Sequence, residues 1–464
     1  MMRQASTSAT SPRRGSAPVR LAAVMLLAVA ASVPATVRAQ SLQAPVVPQY
    51  APATHLGVAS CASGTCHGAA TPADSGNVLL NEAVTWLEQD KHARAYTLLF
   101  DEPSRKIARN LGLENAHEAK ICLDCHADNV PQDRRGEKFQ LSDGVGCESC
   151  HGGAQNWIGV HTVNDNANGH ARNVAAGLFP TSDPKQRARL CLSCHFGDEE
   201  KFVDHRLMGA GHPRLAFELD TFTQIEPAHF VVDDDYADRK HVAGAVQTWA
   251  IGQGMALSQI LDAVVDPRRS HAGIFPEPVL FDCHACHQSM RGLNWQARPS
   301  QGLGPGIVRF NDANLVMLRI IAGVVSPPLA KKLADQGRAF HLASLKGNQQ
   351  WQAAARALQA TAQQATDVFA QHDFEDPRTL KALLDALVRE GGKGEYVDYM
   401  VAEQTTMAIG TLVQAMRDAG VIPEAEAARV ETLMDGMYAA VGEDERYRPT
   451  VALDAMKRVQ SVAR

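Results

Sequence analysis

Apolar positions along this 464-residue chain fall into three regimes. An apolar run spans Leu21 to Val33, behind Arg3, Arg13, Arg14 and Arg20. From about His55 to Met290 the apolar residues come in short groups. Helical spacing there is clearest over 77–100, where Leu79, Leu80, Ala83, Trp86 and Leu87 recur on one face, and a second helix is expected over 104–115. Beyond Ile307 the helical period is sustained in an Ala-, Leu-, Met- and Gln-rich sequence. Helices are predicted at 311–325, 347–371, 377–390, 395–419, 423–441 and 449–462. Stops are expected at Pro327-Pro328, Pro377, Gly391-Gly392, Gly420 and Gly442. Arg291 to Gly306, with Gly292, Pro299, Gly302, Gly304 and Pro305, reads as a linker.

The middle regime holds all ten cysteines, in five close pairs. Cys122/Cys125, Cys147/Cys150, Cys191/Cys194 and Cys283/Cys286 are C-x-x-C pairs, and Cys61/Cys66 is a wider pair with four intervening residues. Histidine follows every second cysteine: His126, His151, His195, His287 and His67. Zinc sites and disulfides also use close cysteine pairs, but neither requires a histidine after each pair. At this histidine content, five such coincidences have a chance on the order of 10⁻⁷. C-x-x-C-H is the attachment motif of c-type haem: the thiols bond the ring edge and the imidazole becomes the proximal iron ligand. The expectation is five covalently attached haem c groups.

Five such groups between residues 55 and 290 leave few residues for a side-chain core, so the porphyrins must supply much of the buried apolar surface. The expected fold is mainly α: short helices and long loops around stacked haems, followed by an all-α C-terminal domain. The predicted organisation is a signal peptide at 1–39, a Pro-rich leader or tether at 40–54, a pentahaem domain at 55–290, a linker at 291–307 and a helical domain at 308–464. Val37-Arg38-Ala39 offers small residues for cleavage after Ala39. The apolar run is short for a membrane span, so a membrane would be reached only through an uncleaved anchor. Arg13-Arg14 could also direct twin-arginine export.

The formal charge of −6 becomes −11 once the five arginines of residues 1–39 are removed. Haem propionates would add further negative charge. Nucleic acid is therefore not an expected partner, and a redox protein with a basic docking surface is.

Each iron can take a second ligand. His92, on the later part of the first helix, is one candidate. His205 and His212 are two more, in a segment where Gly209 and Gly211 allow close backbone approach to a ring. Met208 reads as a packing residue. His117, His170, His229, His241 and His271 form a reserve, and His341 and His372 read as surface histidines. Asp233-Asp234-Asp235 reads as a solvated turn; calcium is the alternative.

Residues 57–200 resemble the cytochrome c-554 family of tetrahaem electron carriers. The resemblance lies in the order of an attachment site, a helix with Trp86 and His92, Cys125-His126, and Gly144 to Gly152. Those proteins share haem packing with hydroxylamine oxidoreductase and pentahaem nitrite reductase. The resemblance implies that His92 caps the iron of His151 and that His161 caps that of His67. It also implies an open iron at His126. The family's fourth haem is capped from just before its own site, where this chain has no histidine, so His205 or His212 is the expected partner of His195.

Electron transfer is the leading functional expectation, with no catalytic residue assigned. A haem enzyme acting on a small nitrogen or sulfur compound at an open iron is the alternative, and a structural or sensory module a third. Expressed with a haem-ligation system, the mature protein should exceed its polypeptide mass by five haems. Four would mean an empty Cys61–Cys66 site, and zinc in place of haem would end this reading.

Overall fold

The computed structural model describes residues 45–163, 169–272, 275–287, 296–298 and 300–463. The expected signal peptide, residues 40–44 of the expected tether and residues 291–295 and 299 of the expected linker lie outside these residues. The fold is mainly helical. Among the described residues nine α-helices precede residue 240: α1 (Glu82–Gln89), α2 (Glu102–Leu111), α3 (Lys120–His126), α4 (Cys147–His151), α5 (Gly169–Ala175), α6 (Pro184–His195), α7 (His205–Gly209), α8 (Leu219–Ile225) and α9 (Asp234–Arg239). They are short and joined by loops and 3₁₀ turns. Then come α10 (Ala245–Val265), α11 (Ala313–Val325), α12 (Pro327–Ala343), α13 (Asn348–Phe369), α14 (Pro377–Gly392), α15 (Tyr399–Asp418), α16 (Ala427–Ala439) and α17 (Pro449–Ala463). Two two-residue strands, His271–Ala272 and Phe275–Pro276, pair antiparallel.

The first predicted helix is broken. α1 stops at Asp90, whose backbone is extended, and 3₁₀ turns carry the chain to Phe100. Asp90 accepts a hydrogen bond from the His92 backbone N–H, the capping role that ends one helix and starts the next turn. α2 ends where Gly112 takes a left-handed conformation at φ 73°. Pro327-Pro328 is both the expected stop and the start of an unexpected helix. Proline lacks only an N–H that the first helical turn leaves unpaired, so it suits the opening of α12.

Before residue 240 the buried apolar side chains form small clusters, such as Leu99, Ala108, Ala116, Leu123 and Ala127. The large core lies elsewhere and runs from Val246 to Ala463. α10 belongs to it: Trp249, Ile251, Leu257 and Leu261 are fully buried. α10 crosses α13 so closely that a Cβ at Gly254 would sit 2.0 Å from Thr366 Oγ1. The helical core thus begins some sixty residues before the expected boundary at 308, on the far side of the fifth cysteine pair.

A buried ion cluster ties that pair to the helices. Arg298 is fully buried and bonds Asp312 (2.7 Å), Asp398 (2.6 Å) and Glu395 (2.9 Å). Arg309 bonds Asp398 and approaches Asp282, the residue before Cys283, at 3.8 Å. His341, expected on the surface, is buried and meets Asp312 at 3.0 Å. Burial alone would raise Asp312, but Arg298 and His341 outweigh it and hold the carboxyl well below its usual range.

Trp249→Ala should cost about 3–5 kcal/mol, the usual penalty for emptying a fully buried aromatic site. Urea unfolding of the holoprotein followed by helical circular dichroism measures it. A loss under about 1 kcal/mol would separate α10 from the core.

Candidate haem centres

Three of the five motifs close a helix. α3 ends on Cys122 to His126, α4 is Cys147 to His151, and α6 ends on Cys191 to His195. Cysteines three apart on a helix share a face, and the histidine follows within the same turn. The fifth motif makes a 3₁₀ turn at Cys283–Ala285. The first forms a wider loop, closed by a hydrogen bond from His67 N–H to Cys61 O at 3.2 Å.

Glycines frame α4 because backbone crowds both of its ends. A Cβ at Gly144, which has φ 72°, would lie 2.8 Å from His92 O. At Gly152 it would lie 2.9 Å from Gly177 O. Glu148 is buried between them and accepts from the Leu56, Gly57 and Ala154 N–H groups, each at 2.7 Å. The site is thereby fixed to chain on both sides of it.

Each motif histidine faces one other imidazole. Ring centroids are 6.1 Å apart for His67–His161, 6.1 Å for His92–His195 and 6.4 Å for His126–His212. They are 6.2 Å apart for His151–His229 and 6.1 Å for His205–His287. A metal between two imidazoles needs about 2 Å to each ligating nitrogen, which puts the ring centres roughly 6 Å apart. All five pairs fit an iron held by two histidines. Burial lowers His151 and His195 to about 4, which keeps them neutral, the form that binds metal.

The other ring nitrogen is engaged at six of these histidines. Nδ1 of His126, His161, His212 and His229 donates to the carbonyls of Ala95 (3.1 Å), Ile158 (2.5 Å), Pro213 (2.8 Å) and Pro227 (3.4 Å). Nδ1 of His67 donates to Glu82 Oε2 at 2.9 Å, and Nδ1 of His92 to Asp90 Oδ1 at 3.0 Å. Such bonds fix the tautomer and leave Nε2 for the metal. Asp90, His92 and Glu226 bring ligand atoms together. Because His92 faces His195 across the ring gap, this cluster belongs to that centre.

These pairings revise the expectations drawn from the resemblance. His161 stands opposite His67 as expected. His92 faces His195, not His151. His151 is met by His229, a reserve residue between Pro227 and Phe230. His212 stands opposite His126, where an open position was expected, and His117 stacks on Phe100 at 4.2 Å instead. His205 faces His287. His205 and His212 therefore serve two different centres from one short stretch around α7.

Cysteine positions relate the centres to one another. The Cys61 thiol interacts with Cys147, and Cys125 with Cys194. Cys150 lies near Cys191 and Cys194. With α7 joining the second centre to the fifth, the order in space is first, third, fourth, second, fifth. Cys66 and Cys286, in the two end motifs, are the exposed cysteines among the ten.

Attachment motifs that end in histidine, each paired with a second imidazole, define a c-type cytochrome. A narrower stretch is similar to a known family: residues 60–152 match the family model of cytochrome c554 and c-prime, so that stretch is cytochrome c554-like. The match takes in the first three motifs, Cys61–His67, Cys122–His126 and Cys147–His151. The fourth and fifth motifs and the helical tail lie outside it. No curated protein and no solved structure matches the chain. Cytochromes of this type carry haem c and are usually extracellular or periplasmic. No helix among the described residues is long and apolar enough to cross a membrane.

His229→Ala should convert one low-spin haem to a high-spin haem that binds carbon monoxide when reduced, whereas His117→Ala should leave the spectrum unchanged. Unaltered low-spin content in the first variant would remove His229 from the ligand set.

Proposed function

We propose that this protein is an exported five-haem cytochrome that carries electrons between redox partners. The observation that supports it best is the second imidazole opposite every motif histidine. Haem c supplies a one-electron iron couple at each centre. The chain's part is to hold each ring plane between two imidazoles, which leaves no coordination position for a substrate. The enzyme alternative needs such a position, and at His126, where it was expected, His212 stands opposite.

The spatial order supports conduction through the protein. The first and fifth centres form its ends and carry the more exposed attachment cysteines, so partners would meet the chain there. The charge of −11 without residues 1–39 favours a partner with a basic face. Residues 1–39, with their basic start and apolar run, are the proposed signal for export to the periplasm.

Two measurements test this reading. The reduced wild-type protein should bind no carbon monoxide, and electron exchange with a small basic c-type cytochrome should slow as ionic strength rises. Turnover of nitrite, hydroxylamine or tetrathionate near 10 s⁻¹, about the median for enzymes, together with carbon monoxide binding, would move the assignment to catalysis.

A further inference from the structure

The Nδ1 partners divide six of the facing histidines into two classes. Four ligands donate to neutral backbone carbonyls. Two donate to carboxylates, and these two carboxylates flank one helix: Glu82 opens α1 and Asp90 follows its last residue. Their side chains are only 15% and 13% exposed, so water screens them weakly.

Neither carboxylate is there by loose surface pairing. The second oxygen of Glu82 accepts from the Leu79 and Leu80 N–H groups at 2.8 and 3.0 Å. Leu80 has φ 59° and, apart from glycines, is the one described residue in the left-handed region. That conformation is costly for leucine and persists only where its surroundings impose it. Here it turns two backbone donors onto the carboxylate that holds His67. Asp90 Oδ1 likewise takes two bonds, from the backbone N–H and from Nδ1 of His92.

A carboxylate acceptor draws the Nδ1 proton toward itself and makes the imidazole a stronger electron donor. Stronger donation favours Fe(III) over Fe(II), and the nearby negative charge acts in the same direction. Reduction adds one electron to the iron, with the proton still shared between Nδ1 and the carboxylate. A carbonyl acceptor has the same geometry without the charge.

We propose that Glu82 and Asp90 are positioning residues that hold the first and fourth haems at the two lowest potentials of the five. This rests on the five-haem reading. One of these haems lies at an end of the spatial order and the other lies at its middle, so the potential profile along the protein is uneven.

The test is a redox titration of the holoprotein followed by EPR and visible absorption. Glu82→Gln and Asp90→Asn keep a hydrogen-bond acceptor but remove the charge. Each should raise the potential of one haem by at least 59 mV, equivalent to a tenfold change in its one-electron equilibrium. Glu82→Asp, which keeps the charge, should stay closer to wild type than Glu82→Gln. Glu102→Gln, at an exposed carboxylate paired with Arg109, should change nothing. Five low-spin haems with no upward shift in either charge-removing variant would overturn the proposal and leave the five-haem reading intact. Fewer than five haems in the wild type would overturn that reading instead.

The wild-type protein gives an independent check should a variant fail to fold. The rings of His67 and His161 are near parallel, at 18°, and those of His92 and His195 are near perpendicular, at 89°. These geometries give different low-spin EPR signals. The last two haems reduced should include one of each type. Two of the same type would overturn the assignment.

Discussion

The constraint on which the structure depends is the distance between paired imidazoles, the separation that one shared metal would require. It recurs five times within a spread of 0.3 Å in ring separation, from 6.1 to 6.4 Å. Each pair joins residues many tens of positions apart. These five pins do in the N-terminal half what a hydrophobic core does elsewhere, since side-chain clusters there are small. Loops normally gain little from being long. Here they have to be long, because each must bring a histidine back to a ring that another segment anchors.

The helical half has the opposite construction. Its core is continuous, and α10 carries it back against α6, the helix of the fourth motif. The buried guanidinium of Arg298 faces Asp312, Glu395 and Asp398, and that set reaches Asp282 through Arg309. A buried charge left without its partner is strongly destabilising. The cluster therefore fixes where the chain beside Cys283 can lie. The fifth motif is tied to the bundle through this ion cluster, and the fourth through the packing of α6 on α10.

Much of this was legible in the sequence, and the limits have physical causes. Attachment motifs are local: two thiols and an imidazole within one turn can be read from spacing alone. The helices of the tail were legible from their period, with Pro327 misjudged because proline at a helix start looks the same as proline after a stop. α10 was missed because Ala245–Val265 is apolar on nearly every side, so it lacks the alternation that marks a surface helix. The pairing of ligands was the least legible feature. His229 has no motif around it, and its role appears only when the chain brings it back to His151. The resemblance set His92 opposite His151, whereas in the fold it faces His195.

The direction in which ligands are supplied bears on how the protein is made. His161, His212 and His229 follow the motifs they serve, whereas His92 and His205 precede theirs. During N-to-C translocation the first three haems would be attached before their capping segments emerge. The last two would find theirs already waiting. On the proposed five-haem, exported reading, biogenesis would pass through a stage in which three motifs lack their second imidazole, and the stretch from His205 to His229 is the part of the chain whose arrival would supply two of them.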